Sequence, residues 1–248
     1  MIVVSSVINQ FTEILKASDN IVFFGGAGVS TESGIPDFRS EDGLYNTPYK
    51  YPPETMLSYS FFIKNPGEFY QFYRDKMLHP RAMPNNAHIA LAALEQHGKL
   101  RAIVTQNVDG LHHKAGSINV LELHGSRGRY YCMDCGKVYT MDIVLESVDV
   151  PRCTCGGMIR PDVVLFEESL NQSVIERSVI AIKEADVLIV GGTSLNVYPA
   201  AGLIRYYDGD KLVLMNKSET SYDGYANLII RDAIGKTLGA AVRALGLM

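Results

Sequence analysis

The stretch FFGGAGVSTESGIPDFRS, residues 23–40, governs how the rest of the chain is read. An apolar run ends in Gly25, Gly26 and Gly28, and without a Cβ these residues let backbone amides approach a pyrophosphate closely. Ser30 and Thr31 add hydroxyl donors. The match to the dinucleotide fingerprint is partial: Gly26-x-Gly28 is followed by Thr31 at the third glycine position, and Lys50 stands where a ribose-binding acid is expected. A strand-to-helix turn that binds nothing remains the alternative. Pro36 then restricts Ile35 to extended geometry, so any helix after the loop is short. Asp37-Phe38-Arg39 falls in a loop able to fold over a ligand, with Phe38 placed to shield a reactive centre and Arg39 to hold a phosphate.

Working outward, short β-branched runs recur at 21–24 (IVFF), 102–105 (AIVT), 120–123 (VLEL), 187–190 (VLIV), 212–215 (LVLM) and 228–230 (LII). They are apolar without alternation, as strands covered on both faces of a parallel sheet are. Amphipathic stretches lie between them at 86–99, 174–186 and 232–246. This order predicts a doubly wound, Rossmann-like α/β fold. Residues 40–84, with aromatics, prolines and one helix at 66–78, and residues 127–160, with the cysteines, break the pattern. The expected division is a large domain from 1–39, 85–126 and 161–248, and a smaller discontinuous one from a helical insertion (40–84) and a metal module (127–160).

Gln106, Asn107, Asp109 and His112 follow one strand directly, and His124 follows another. Both positions are carboxyl ends of strands, where an open α/β sheet forms its ligand crevice. An imidazole near neutrality can take a proton from a hydroxyl, while Asn and Asp orient a sugar or a water. An ordinary polar loop is the bland alternative. Gly192-Thr193-Ser194 supplies a second glycine-hydroxyl turn at a strand end.

All four cysteines lie between Cys132 and Cys155: Cys132-x-x-Cys135, then Cys153-x-Cys155 followed by Gly156-Gly157. Four thiolates suit tetrahedral Zn²⁺ in a closed, structural site, although a Cys-x-x-Cys alone is also compatible with a redox pair. The tighter second spacing calls for a bend that the glycines can relieve. The linker between the pairs is rich in strand formers, favouring a zinc ribbon.

The 248 residues are 47% hydrophobic and 20% charged, with 23 basic against 27 acidic side chains and a net charge of −4. That excludes disorder as the default and removes any global positive field toward nucleic acid or an anionic membrane. No basic leader precedes an apolar run and no stretch approaches the ~20 apolar residues of a span, so a cytoplasmic protein is expected.

Taken in order, GAGVSTESGIPDFR (26–39), TQNVDGLH (105–112), LHGS (123–126), the paired cysteines and GTSLNVYPA (192–200) resemble the motifs of the sirtuins, NAD-dependent protein lysine deacylases. The resemblance implies that Gly26, Ala27, Gly28, Ser30, Thr31, Asp37, Phe38 and Arg39 hold the cofactor, the segment after the glycines closing over the nicotinamide ribose. It makes His124 the general base, Asn107 the residue that positions ribose and water, Asp109 a contact on the nicotinamide side and Gln106 a ribose contact, with His112 supporting the loop. Gly192, Thr193 and Ser194 touch the cofactor, and Asn216, Asp232 and Ala233 lie near the adenosine. Structural Zn²⁺ on Cys132, Cys135, Cys153 and Cys155 belongs to the same pattern.

The implied reaction starts with attack of an acyl-lysine oxygen on C1′ as nicotinamide leaves, giving an alkylimidate. His124 then activates a ribose hydroxyl, and water releases lysine and 2′-O-acyl-ADP-ribose. Protein mono-ADP-ribosylation in the same pocket, or NAD sensing without catalysis, are the competing functions. By resemblance an extended acyl-lysine peptide pairs between Leu195-Asn196-Val197 and residues 163–168, with Val163, Phe166 and Tyr70 around the acyl-lysine. Glu167 stands where the family commonly has glycine. Relatives that take succinyl groups carry Tyr-x-x-Arg; here Tyr70 meets Tyr73 in that register and Arg74 falls one place later, so an uncharged acyl group, acetyl first, is expected.

Overall fold

The computed structural model describes residues 2–248. Its strands, in chain order, are β1 (Ile21–Gly25), β2 (Leu100–Thr105), β3 (Val120–Glu122), β4 (Gly125–Cys132), β5 (Val138–Tyr139), β6 (Ile159–Val163), β7 (Val187–Gly191), β8 (Leu212–Met215) and β9 (Leu228–Ile230). Six of them form a parallel sheet in the order β3-β2-β1-β7-β8-β9. The unbroken apolarity of these strands has a direct cause. Phe23, Ile103, Ile189 and Val213 face a core built with the helices Asn86–Gln96 and Ile234–Ala244 and with Phe11 and Leu15 of the helix Ile2–Lys16. Their neighbours Val22, Phe24, Val104, Leu188 and Leu214 face a second core under Gln172–Glu184 and the 3₁₀ segment Ala200–Tyr206. Each alternate residue is buried on its own side, at roughly 1.5–3 kcal/mol per large side chain.

The helix after residue 85 starts where side chains cap it. Asn85 accepts from Ala87 N at 2.8 Å and His88 Nδ1 accepts from Asn85 N at 3.2 Å, a reciprocal cap. The first of the expected helices therefore spans Asn86–Gln96, stopping ahead of Gly98 at φ +70°. The last begins at Ile234, leaving Asp232 and Ala233 outside it.

The remaining strands form an antiparallel sheet in the order β5-β4-β6. A third core joins it to residues 56–78 through Phe62, Phe69, Tyr70, Tyr73, Tyr130 and Ile159. Two expectations change here. The helix read over 66–78 runs as Pro66–Phe72 and then widens into a π-helical turn, Tyr73–Met77. Of the linker rich in strand formers, only Val138–Tyr139 is strand, and Asp142–Leu145 is a helical turn that buries Val144. No described helix is long and apolar enough to cross a membrane.

Candidate active site

The order of the large sheet reverses beside β1, between β2 and β7, and the crevice of such a sheet opens at the carboxyl ends of these strands. Loops 26–34 and 192–197 meet there. Gly26 N donates to Gly191 O at 3.1 Å and Gly28 N to Gly192 O at 2.8 Å. A Cβ on Gly28 would lie 2.7 Å from Gly192 Cα, and one on Gly192, at φ +61°, would lie 2.5 Å from Val29 N. The glycines thus serve first to interlock two turns. What they leave for an anion is a set of donors: the amides of Ala27, Thr193 and Ser194 have no partner among the described residues. Gln106 Nε2 is likewise buried without a partner. A pyrophosphate and ribose would satisfy such groups, so the site fits a dinucleotide. Thr31 Oγ1 is spent on Gly28 O at 3.0 Å.

Two contacts invisible to local reading hold the loop. Asn85 Nδ2 donates to Val29 O at 2.8 Å and Ser33 Oγ at 3.0 Å. Glu32 Oε1 accepts from Gly235 N at 2.7 Å, which places a carboxylate at the amino end of the last helix, where it stabilises the helix dipole. The first helix after the glycines is reduced to two 3₁₀ turns, Ala27–Val29 and Thr31–Ser33, as Pro36 dictates. Residues 37–45 then fold back on themselves. Asp37 Oδ1 accepts from Arg39 N and Ser40 N at 2.9 and 2.7 Å, so this carboxylate shapes the loop. Phe38 lies 6.0 Å from the Tyr45 ring, and Arg39 reaches Ser194 Oγ at 3.3 Å, bridging to the second turn.

At the centre, Ser30 Oγ donates to Asp109 Oδ2 at 2.6 Å and accepts from Asn107 Nδ2 at 3.2 Å. Asp109 Oδ1 accepts from Leu111 N at 2.9 Å, and Gln106 Oε1 accepts from Thr193 Oγ1 at 3.2 Å. His124 comes from the turn after β3, and its Nδ1 lies 2.9 Å from Gln106 O. A carbonyl can only accept, so Nδ1 carries the proton and Nε2 keeps its lone pair. Burial lowers the pKa of this imidazole, and the Gln106 carbonyl pulls it partly back. The ring is therefore neutral and basic at pH 7.

His112 is not at this surface. It is 2% exposed, its ring 4.8 Å from that of His88, and neither of its nitrogens has a partner among the described residues. Asn216, Asp232 and Ala233 lie after β8 and β9, on the far side of the switch. Asn216 Nδ2 donates to Ser218 O at 3.0 Å, while Asp232 accepts from Ala233 N at 2.8 Å and Lys236 Nζ at 2.7 Å.

The four cysteine sulfurs lie within 4.8 Å of one another, with Sγ–Sγ distances of 3.5 Å for Cys132–Cys155 and 3.6 Å for Cys135–Cys153. That is far beyond the ~2.0 Å of a disulfide and near the spacing of thiolates around a metal with ~2.3 Å bonds. The tight Cys153-x-Cys155 pair is accommodated by Gly156 at φ +93°, and a Cβ on Gly157 would sit 2.6 Å from Cys132 Sγ. The donor set fits Zn²⁺ in a closed structural site.

Residues 163–168 form one wall beside His124, since Val164 N donates to His124 O at 2.9 Å. A bidentate ion pair holds this wall from behind: Arg160, 7% exposed, reaches Glu168 at 2.7 and 2.8 Å. Val163 is buried and Phe166 is 40% exposed. Leu195 is buried, Asn196 exposed and Val197 half-buried on the opposite turn. Tyr70 is a correction. It is 0% exposed and its hydroxyl donates to Ile159 O, so in this structure it packs the small core and offers no surface to a substrate. Arg74, half-buried, donates from its guanidinium to the carbonyls of Val144 and Asp149. A separate open groove of ≈ 500 Å³, lined by Arg101, Asn119, Arg177 and Glu184 among others, shares no residue with this crevice.

A doubly wound domain whose switch-point crevice carries a neutral imidazole beside unfilled anion donors, joined to a four-cysteine module, defines an enzyme class that works on a dinucleotide. The Sir2 family model matches residues 26–199, and the chain belongs to the Sir2 family, the sirtuins. It is 59% identical to an NAD-dependent protein deacetylase of Clostridium acetobutylicum over 95% of this chain and 98% of that protein. It is 52% identical to one from Cutibacterium acnes over 95% and 98%. Among solved structures, a Sir2–p53 peptide–NAD+ complex superposes with a TM-score of 0.85 at 39% identity, covering 97% of this chain and 99% of that one. A Sir2 bound to acetylated peptide does so with a TM-score of 0.85 at 38% identity and the same coverage.

Sequence reading missed Asn85, Glu32, Arg160 and Glu168. Asn85 before an apolar helix is a legible cap signal; Glu32 bonds to Gly235, 203 residues away, and the Arg160–Glu168 pair, eight residues apart, depends on a turn that the fold shapes.

Proposed function

We propose that this chain is an NAD-dependent protein lysine deacetylase, consuming NAD to release acetyl or another uncharged acyl group from lysine, with structural Zn²⁺ in the small module. The observation that carries this reading is the His124–Gln106 contact, which leaves Nε2 unprotonated on a ring held by the chain neighbour of Asn107, itself part of the Ser30–Asn107–Asp109 network. NAD, when bound, supplies a ribose carbon that exchanges nicotinamide for the acyl oxygen. His124 takes the proton of a ribose hydroxyl on Nε2 while the Gln106 carbonyl stabilises the cation that forms on the ring. Asn107, held by Ser30, orients the sugar; Asp109 faces the nicotinamide side; Phe38 keeps water away. Ala27, Thr193 and Ser194 receive the phosphates on their amides, with Arg39 alongside. Val163 and Phe166 bound the acyl-lysine.

Division into the large domain (1–39, 85–126, 161–248) and the small one (40–84, 127–160) belongs to this proposal, with the peptide entering between them. So do a cytoplasmic location and independence from nucleic acid and membrane. Retention of Arg74 by two carbonyls supports the uncharged acyl preference, since no guanidinium is offered to a distal carboxylate there. The test is mass spectrometry of acetyl- and succinyl-lysine peptides incubated with NAD, alongside nicotinamide release. Loss of acetyl at least tenfold faster than loss of succinyl is expected; gain of ADP-ribose on the peptide would overturn the reading.

A further inference from the structure

Among the described residues only two non-glycines have positive φ, Glu167 at +78° and Leu195 at +57°, and they stand on opposite walls of the crevice beside His124. Such residues carry backbone strain and persist only where their surroundings compensate. For Glu167 the compensation is visible. Glu168 N donates to Leu165 O at 3.1 Å, closing a four-residue turn with Glu167 in its third position, where a positive φ calls for glycine. The Glu167 carboxylate reaches across 107 residues of sequence, Oε2 accepting from Ser60 N and Oε1 from Ser60 Oγ, both at 2.9 Å. These are charge-assisted bonds at the start of the helix Tyr59–Lys64. On either side, Phe166 N donates to Leu57 O and Tyr59 N to Phe166 O, each at 3.0 Å. One edge of the segment is therefore fastened to residues 57–60. The other is open: Val164 O and Glu167 N have no partner among the described residues.

We propose that Glu167 is a positioning residue for the peptide substrate: its clamp on Ser60 holds the 165–168 turn so that the open acceptor and donor are preset for an extended backbone. This rests on the deacetylase reading, and it assigns to a side chain a task that glycine cannot perform. Preorganising an edge lowers the ordering cost of peptide binding, so the effect falls on peptide affinity and not on NAD. Glycine tolerates φ +78° without strain, so Glu167→Gly keeps the fold while removing the clamp.

The experiment measures Kd for a fluorescent acetyl-lysine peptide by anisotropy, with KM and kcat by nicotinamide release, on the zinc-loaded wild type, E167G, E167Q and S60A. Expected for E167G is a five- to tenfold weaker peptide Kd and a matching rise in peptide KM, with the KM for NAD and kcat at saturation within twofold. S60A should follow in the same direction, and E167Q, which keeps an acceptor, should stay within threefold of wild type. If wild type binds peptide and E167G binds it equally well or more tightly, or if KM for NAD rises as far as that for peptide, the inference falls while the deacetylase reading stands. If wild type neither binds nor deacetylates the peptide, the reading fails and takes the inference with it.

Discussion

Ser30 and Asp109, 79 residues apart, share a 2.6 Å hydrogen bond that joins the glycine loop to the loop after β2. The same hydroxyl accepts from Asn107, so one side chain sets two others. Ser30→Ala leaves Asp109 Oδ2 and Asn107 Nδ2 without this partner. At about 1.4 kcal/mol for the lost organisation, KM for NAD should rise about tenfold with peptide KM unchanged. Initial rates at varied NAD check it; equal KM values would remove Ser30 from the cofactor network.

Gly28→Ala tests the interlock of the two turns. The new Cβ meets backbone at Gly192, which cannot swing aside as a side chain can. Overpacking of this kind costs about 1–3 kcal/mol, and at roughly 2–4 °C per kcal/mol for a domain of this size Tm should fall by about 2–12 °C. Thermal denaturation reports the cost, and nicotinamide release should be lost with it.

With His124 as the proposed base, acting as a neutral imidazole whose pKa burial lowers, the acid limb of kcat/KM should lie below the ordinary histidine value of about 6.5. Activity should be flat between pH 7 and 8 and decline on acidification. His124→Ala should keep NAD binding by calorimetry while product formation disappears.

His88 and His112 should make the fold acid-sensitive. Burial lowers their pKa values to about 4 and about 3, against about 6.5 unfolded. Asp109 opposes the shift at His88, and the neighbouring histidines reinforce it at His112. Below pH 6.5 the unfolded chain binds more protons than the folded one, so the stabilisation present above pH 6.5 is lost as pH falls toward these values. The slope is about 1.4 kcal/mol per unit for each group. His88 Nδ1 also accepts from Asn85 N, so protonating that nitrogen breaks the cap of the helix Asn86–Gln96. His112→Leu should flatten the dependence of Tm on pH between 6.5 and 4; an unchanged slope would show that other groups set it.

Cys132→Ser removes one of four sulfurs around a closed site. Zinc content and Tm should fall together, because metal binding contributes folding free energy to a module with little core of its own. Zinc stoichiometry by elemental analysis, measured with the melting curve, decides this. Undiminished zinc would exclude Cys132 as a ligand.

The doubly wound sheet was legible because its strands are buried on both faces, which leaves a composition signal in every strand. The cysteine quartet was legible because its ligands are close in sequence, and the polar residues at strand ends because the sheet's topology gives those positions one meaning. The helix Ile2–Lys16 was not read, although Val7, Phe11, Ile14 and Leu15 recur at helical spacing on its core face. Tyr70 was misplaced because motif register says where a residue stands on its helix, while packing against Ile159 decides which way that helix faces.

By itself, the sequence determined the sheet and the grouping of the four cysteines, because both rest on residue type and short spacing, while the role of His124 as base follows from the resemblance and stands as a proposal. Tertiary structure alone decided that the glycines lock two turns together, that Glu32 and Asn85 hold the cofactor loop, and that Glu167 is tethered to Ser60. Those partners are 203, 56 and 107 residues apart, and a hydrogen bond depends on position to within tenths of an ångström, which only the packed chain supplies.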